Sequence, residues 1–387
     1  MAELAYATHL RCVARKGLWV RLPPPAPHRK MKRHQTILVT GGCGFIGGHF
    51  VRHFLNNYPD WQVINLDKLT YSGNKENLSD ISLNPKFKKR YTFVKGDIAD
   101  AKKVETVFKK YKPDFLINFA AETHVDRSIH VGAKEFIDTN VYGVFVLLEA
   151  IKKYGIEKAL FVSTDEVYGS LSIGSKGKFT ENTQYQPNVP YSSTKAGGDL
   201  LCRSYHFTWK LPLVVTHCSN NFGPYQYPEK LIPFFTSRAM KNESLPLYGD
   251  GKNIRDWIYV LDHVEGLTKV LFDGEAGDVY NMGADEEHSN LEIAKMILGI
   301  LNKPESLITF VADRPGHDRR YAIDHAKITK ELGWRPKYKF KKMLAETVTW
   351  YLGNQKWSKN IQKKTGVINP HIDLWKKHEL GDKKLHS

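Results

Sequence analysis

The sequence predicts an α/β protein built on a doubly wound parallel sheet, with a smaller α/β lobe laid against it. Three observations carry this expectation. Short apolar runs alternate with helical stretches from residue 31 to about residue 220; a glycine cluster occupies the first strand–helix junction; and two adjacent carboxylates, Asp165 and Glu166, directly follow an apolar run. Uniformly apolar runs of this length fit strands buried on both faces.

The elements follow in order. Thr36-Ile-Leu-Val39 is the first strand, followed by the glycine cluster and a helix through Leu55. Val63-Ile-Asn-Leu66 is the second strand and ends in Asp67, and Tyr91 to Val94 is the third, ahead of Gly96-Asp97. Asp114 to Phe119 forms the fourth, and a long amphipathic run from Ala133 to Tyr154 leads into a fifth, Ala159–Val162. This βαβ cadence specifies a Rossmann-type sheet. Beyond residue 220 the cadence loosens, with Pro224, Pro228, Pro233 and Pro246 interrupting it. The expected division is therefore a dinucleotide-binding domain over 31–220 that carries the catalytic residues, and a mainly substrate-binding lobe over 221–353. Individual strands of that lobe are free to return to the first sheet. The stretch 354–387 reads as a peripheral, partly disordered basic tail.

Composition narrows the class. The formal charge is +16, but residues 1–30 and 354–387 each carry +5, leaving +6 for the 323 residues between them. That excess suits an enzyme of anionic small molecules, and there is no aromatic–basic interleaving of a nucleic-acid binder. No run of about 18 apolar residues is present, so no membrane helix is expected. The four cysteines, Cys12, Cys43, Cys202 and Cys218, have no metal or disulfide spacing, which points to a reducing cytoplasm. His49 and His53 are one turn apart but lack a third ligand, so no metal is expected. Residues 1–30, with their Leu22-Pro-Pro-Pro-Ala-Pro stretch, read as foreign to the rest. A natural start at Met31 is expected, with an Arg-rich presequence as the alternative.

The dinucleotide expectation rests on Thr40-Gly-Gly-Cys-Gly-Phe-Ile-Gly47. Gly41, Gly44 and Gly47 permit a tight turn and close approach of backbone to a pyrophosphate at a helix N-terminus. Asp67 stands 20 residues beyond Gly47, where a carboxylate accepts hydrogen bonds from the adenosine ribose. Its charge favours NAD over NADP, with Lys68 softening the argument, and Asp97 suits the adenine edge. Cys43 reads as a small filler of the loop. Asp165 and Glu166 close Ser163-Thr-Asp-Glu at a strand's carboxyl end, the ligand-binding edge of such sheets. Neighbouring carboxylates repel, so one tends toward acid and the other toward base, as removal of water requires. Tyr191 and Lys195, i and i+4 on a helix starting after Pro190, share a face. A lysine beside a phenol is expected to lower its pKa and make it a base.

Tyr191-x-x-x-Lys195 behind a dinucleotide loop resembles the extended short-chain dehydrogenase/reductase superfamily in its nucleotide-sugar branch. Six further segments stand in order: Ala120–Ser128, Ser163–Gly169, Cys218–Pro224, Pro228–Pro233, Arg255-Asp-Trp257 and Asp313–Tyr321. Together they resemble the nucleotide-sugar 4,6-dehydratases over roughly residues 31–357. Phe222, where tyrosine is common, is a small departure.

The resemblance implies NAD as a recycled cofactor, dTDP-glucose as substrate with UDP-glucose as the alternative, a role in deoxysugar (rhamnose) biosynthesis, and a homodimer. It implies that Tyr191 takes the C4 hydroxyl proton, Thr164 binds the C4 oxygen and Lys195 holds the nicotinamide ribose. Glu166 is implied as the C5 base and Asp165 as the acid at the C6 hydroxyl. Further implied NAD contacts are Phe45, Ile46, Lys68, Leu69, Thr70, Ile98, Phe119, Ala120, Ala121, Thr139 and Asn221. Implied substrate contacts are Thr123, Asn220, Lys230, Leu231, Pro246, Leu247, Tyr248, Arg255, Asn290, Asp313, Arg314, Pro315, Gly316 and His317. Arg255 and Arg314 make physical sense as diphosphate partners. Asn290 reads equally well as the N-cap ahead of Leu291.

Overall fold

The computed structural model describes residues 35–365; the expectations for residues 1–30 and for 366–387 lie outside the described residues. Twelve strands organise the described chain. They are β1 (Gln35–Thr40), β2 (Trp61–Asp67), β3 (Tyr91–Lys95), β4 (Phe115–Asn118), β5 (Lys158–Thr164), β6 (Leu213–Cys218), β7 (Asn220–Phe222), β8 (Leu245–Tyr248), β9 (Ile254–Tyr259), β10 (Val279–Met282), β11 (Glu287–Ser289) and β12 (Ile308–Val311).

Seven of them form one parallel sheet in the order β10-β6-β5-β4-β1-β2-β3. The order reverses between β1 and β4. Loops leaving those two strands therefore part in opposite directions and open a crevice at the carboxyl edge. Alternation along β1 explains why both faces are covered. Ile37 and Val39 pack in one layer with Phe50, Phe54, Val264 and Leu267, whereas Leu38 packs in the other with Val104, Phe108, Leu147 and Ile151. Each such side chain, withdrawn from water, contributes roughly 1.5–3 kcal/mol.

The chain crosses between lobes more than once. Helix Val260–Asp273 buries Val264, Leu267 and Leu271 on the large sheet, and β10 completes that sheet beside β6. The smaller lobe is thus built from the segments on either side of this return. Its core joins Phe222, Ile232, Leu247, Trp257, Ile293 and Leu344. Within it β9 pairs with β7 and β11, and β8 with β12.

Two stretches differ from expectation. The run from Ala133 to Tyr154 is not one regular helix: a π-helical segment, Ile137–Gly143, precedes the α-helix Val144–Tyr154. Buried Asn140 within it bonds the backbone of Glu122 in both directions and the Thr194 hydroxyl, ties a regular helix would not have to accommodate. The supposed tail begins as an ordered helix, Gln355–Thr365. Trp357 and Ile361, one turn apart, are both buried, and they hold down a helix whose lysines disguise it in the sequence.

Candidate active site

The glycine loop lies between β1 and the helix Phe45–Asn57, with Gly44 as N-cap. Gly41 adopts φ +70°, and a Cβ there would stand 2.6 Å from the Ala120 nitrogen; one on Gly47 would stand 2.4 Å from the Gly41 carbonyl oxygen. Only hydrogen fits at these two places. The loop is consequently pressed against β4's exit, and Gly41, Gly44 and Gly47 line a groove at the helix N-terminus. Cys43 is buried and its thiol is pushed up, first by burial and then by Asp67, as befits an inert filler.

Asp67, at the end of β2, accepts the Cys43 amide at 2.8 Å and the Leu69 amide at 2.7 Å. Burial raises its pKa and those two bonds oppose the rise. Lys68 pairs with Asp97 at 2.7 Å. The groove is lined by Gly41, Gly44, Phe45, Ile46, Gly47, Asp67, Lys68, Thr70, Asp97, Ile98, Phe119, Ala120, Ala121, Thr139, Tyr191, Lys195 and Asn221. Leu69 is the expected contact that does not line it; at φ +60° it serves instead to bring its amide onto Asp67. A dinucleotide fits this cradle: bare glycine backbone sits at a helix N-terminus, with a carboxylate 20 residues on.

β5 ends at Thr164, and a single tight turn, Asp165–Tyr168, follows. The Thr164 hydroxyl oxygen accepts the Glu166 amide at 3.3 Å and lies 3.4 Å from Asp165 Oδ1. Asp165 Oδ2 and Glu166 Oε2 are buried without a hydrogen-bond partner among the described residues. Both residues line the groove, and Glu166 also borders a second cavity.

Burial raises both pKa values, but the charges around them differ in sign. Asp165 is pushed well up by burial, then by Glu166 and Asp256, with Arg255 opposing. Glu166 is raised by burial, yet Arg314, Arg255 and Lys230 all pull it down. Both are raised overall, with Asp318 adding to the rise at Glu166, but three cations oppose the rise there and only Arg255 among the charges opposes it at Asp165. That is the asymmetry an acid and a base need.

Helix Pro190–Trp209 starts with proline in its first turn and presents Tyr191 and Lys195 to the groove. The expected lowering of the phenol by Lys195 is corrected here. Burial pushes Tyr191 well up, Glu166 and Cys218 add to the rise, and a Thr164 hydrogen bond opposes it. Lys195 Nζ donates to the Val162 carbonyl at 2.8 Å, and burial lowers its own pKa. Shared helix face, read from i,i+4 spacing, does not fix where a lysine's long stem ends.

The second cavity adjoins the groove through Glu166, Asn220, Glu229 and Lys230, which line both. Leu231, Pro246, Leu247, Tyr248, Arg255, Asn290, Arg314 and His317 line it, whereas Thr123 and Thr164 stand on the groove side. Asp313, Pro315 and Gly316 line neither. Asp313 accepts from the Arg314 amide at 2.9 Å and meets His317 Nδ1 at 2.5 Å, and Gly316 takes φ +64° beside Asn188 and Val189. Asp313 and Gly316 shape the loop that aims Arg314 and His317. Arg255 is anchored by the carbonyls of Ile254 at 2.8 Å and Asp318 at 3.0 Å, while Arg314 Nε is buried with no partner among the described residues.

Asn290 is not the cap. Ser289 caps helix Asn290–Ile300 in a reciprocal pair with Glu292, which leaves Asn290 buried at the cavity wall. Residues not anticipated include Asp126, which meets Arg314 at 3.5 Å, Glu229, raised to about 7 by burial, and Tyr321, whose ring lies 4.2 Å from the Arg255 guanidinium carbon. Glu229 and Tyr321 stand inside segments already noted in the sequence; a buried acid and an aromatic there were the available signals. Asp126 lies in the Ala120–Ser128 segment, but its pairing partner is 188 residues away.

A dinucleotide groove opening onto an arginine-bearing cavity, with an acid and a base at their border, defines a nucleotide-sugar-modifying short-chain dehydrogenase/reductase. Comparison with known proteins agrees. The family model described as GDP-mannose 4,6 dehydratase matches residues 38–347. A dTDP-glucose 4,6-dehydratase of Xanthomonas campestris pv. campestris (strain B100) is 48% identical over 344 residues, covering 84% of this chain and 95% of the relative. A solved dTDP-glucose 4,6-dehydratase from Bacillus anthracis str. Ames, in complex with NAD, superposes with TM-score 0.78 at 48% identity, covering 84% of this chain and 99% of that one. Another, from Streptomyces venezuelae with NAD and TYD bound, gives TM-score 0.80 at 46% identity over 84% and 100%. The chain belongs to the dTDP-glucose 4,6-dehydratase family.

Arg314→Ala removes the first of the cations that lower Glu166. The carboxylate then takes up its proton at higher pH, so the acid limb of the pH–rate profile, read at saturating substrate, moves to higher pH. An acid limb unchanged from wild type would contradict the electrostatic assignment.

Proposed function

We propose that this protein is an NAD-dependent dehydratase that converts dTDP-glucose to dTDP-4-keto-6-deoxyglucose and water. The observation that carries the reading is the Asp165–Glu166 pair at the border of groove and cavity, Asp165 buried and Glu166 half-buried, in surroundings of unequal charge. A 4-epimerase has no use for such a pair, because it removes no water.

Bound NAD supplies a hydride acceptor that is restored within each turnover and, when oxidised, a cationic ring that favours the Tyr191 phenolate. Tyr191 takes the proton of the C4 hydroxyl, and the Thr164 hydroxyl, next to it, steadies the C4 oxygen. A C4 ketone acidifies the C5 hydrogen, which Glu166 accepts as a proton. The C6–oxygen bond then breaks, and Asp165 gives its retained proton to the departing hydroxyl, which leaves as water; the C5=C6 double bond so formed would be saturated by return of the borrowed hydride to C6 and of the Glu166 proton to C5. Arg255 and Arg314 hold the diphosphate, while Leu231, Phe234, Pro246, Leu247 and Val311 give the far wall an apolar lining. That lining suits a thymine methyl better than the bare edge of uracil.

The protein is further proposed to be a cytoplasmic homodimer. Cys43, Cys202 and Cys218 are free, and no helix of the described residues is long and apolar enough to cross a membrane. Leu200 and Phe207 stand two turns apart and more than half exposed, on a helix that packs against Val144–Tyr154, whose own face exposes Phe145. Two such faces offer a four-helix contact between copies.

Three outcomes are expected. Mass spectrometry shows loss of one water from dTDP-glucose, with UDP-glucose slower by roughly fourfold to tenfold for the missing methyl; no loss from either sugar refutes the function. Glu166→Gln leaves C4 oxidation measurable but abolishes solvent-deuterium entry at C5, and persistent exchange would refute the base role. Leu200→Glu with Phe207→Glu converts a dimer to a monomer in sedimentation, and a wild-type monomer removes the dimer proposal.

A further inference from the structure

The C-terminal helix reaches the dinucleotide groove from outside both lobes' sheets. Ile361 is part of the groove wall, beside Asn77 and Tyr225 to Tyr227. One turn earlier, Trp357 Nε1 donates to Asn77 Oδ1 at 2.9 Å. Asn77 in turn donates from Nδ2 to the Cys43 carbonyl at 2.9 Å, inside the glycine loop. A continuous path of two side-chain hydrogen bonds therefore runs from the end of the described chain to the loop expected to hold the pyrophosphate.

Helix Gln355–Thr365 and the helix before it, Phe340–Gly353, also fasten the groove-lining segment at 225–227. Tyr225 packs on Trp350 at 4.6 Å and Trp357 at 5.7 Å, and the Tyr351 hydroxyl donates to the Gln226 carbonyl at 2.7 Å. Gln226 Nε2 then donates to the Asn221 carbonyl at 2.8 Å. Tyr227 meets Tyr71, from the loop after β2, edge-on at 5.2 Å. Tyr71 and Tyr227 line the groove from separate segments, and one hydrophobic cluster with Trp357 and Ile361 joins them.

We propose that helix Gln355–Thr365 is a clasp that retains the dinucleotide, with Trp357 as its principal positioning residue. The inference rests on reading the groove as an NAD site. Its chemical reason is that this reaction borrows a hydride and returns it to the same sugar. A cofactor lost in mid-turnover takes the hydride with it and strands the keto sugar. Closing the groove from a segment that touches neither the acid–base pair nor the sugar cavity slows release without altering the reacting geometry.

The test loads full-length protein with radiolabelled NAD, chases with excess unlabelled NAD, and follows release. Trp357→Phe, which keeps the ring and deletes the donor, should release about fivefold faster than wild type. Trp357→Ala and Ile361→Ala should release at least tenfold faster. Ile297→Ala, which loosens the smaller lobe's core from a helix that does not line the groove, should release at the wild-type rate. Wild-type release from both Trp357→Phe and Ile361→Ala overturns the clasp, and so does equal acceleration by Ile297→Ala, which would mark general loosening. A wild-type protein that retains no labelled NAD overturns the dinucleotide reading and the clasp with it, an outcome distinct from one confined to the variants.

Discussion

Two adjacent carboxyl groups are withdrawn from water at the end of β5, and the surrounding structure answers to that constraint. A buried carboxylate is costly unless it is paired, hydrogen-bonded or protonated. Asp256 and Arg255, neighbours on β9, illustrate the arrangement. Burial raises Asp256 to about 6 while the amides of Glu286 at 3.0 Å and Ala284 at 3.1 Å oppose the rise, and its charge discourages ionisation of Asp165. Arg255 joins Arg314 and Lys230 in favouring the ionised form of Glu166. The unequal charge environments of two side-by-side residues are thus made by the smaller lobe and its loops rather than by the turn that bears them.

This makes the two lobes interdependent. The large sheet supplies the turn, the groove and the Tyr191 helix. The charges that distinguish the two carboxyls arrive on β9, on the loop at 313–317 and at Lys230. The chain's return through helix Val260–Asp273 and β10 ties the lobe back onto the sheet, which keeps those charges in register with the pair.

Much of this was legible from sequence where the physics is local. Gly41 and Gly47 are required by contacts with backbone a few residues away or at a strand exit, and their spacing betrays them. Pro190 starts a helix for reasons internal to one turn. Where the outcome depended on distant partners, the reading failed or stayed open. Lys195 was expected to act on Tyr191, but its ammonium found the Val162 carbonyl. Asn290 was an open choice until Ser289 and Glu292 took the cap. The helix after residue 354 hid its two apolar anchors among lysines, because burial on one narrow face leaves little imprint on composition.

The sequence by itself determined the parallel sheet, the dinucleotide loop and the place of the carboxylate pair, the tyrosine and the lysine. Each of these follows from short-range periodicity, from a turn only glycine can make, or from a motif within a few residues. Only the tertiary structure decided which charges surround each carboxyl, which loop residues line the second cavity, and that the helix after residue 354 forms part of the groove. The reason is physical: desolvation and charge–charge interaction act through space, between residues brought together from segments up to 284 positions apart.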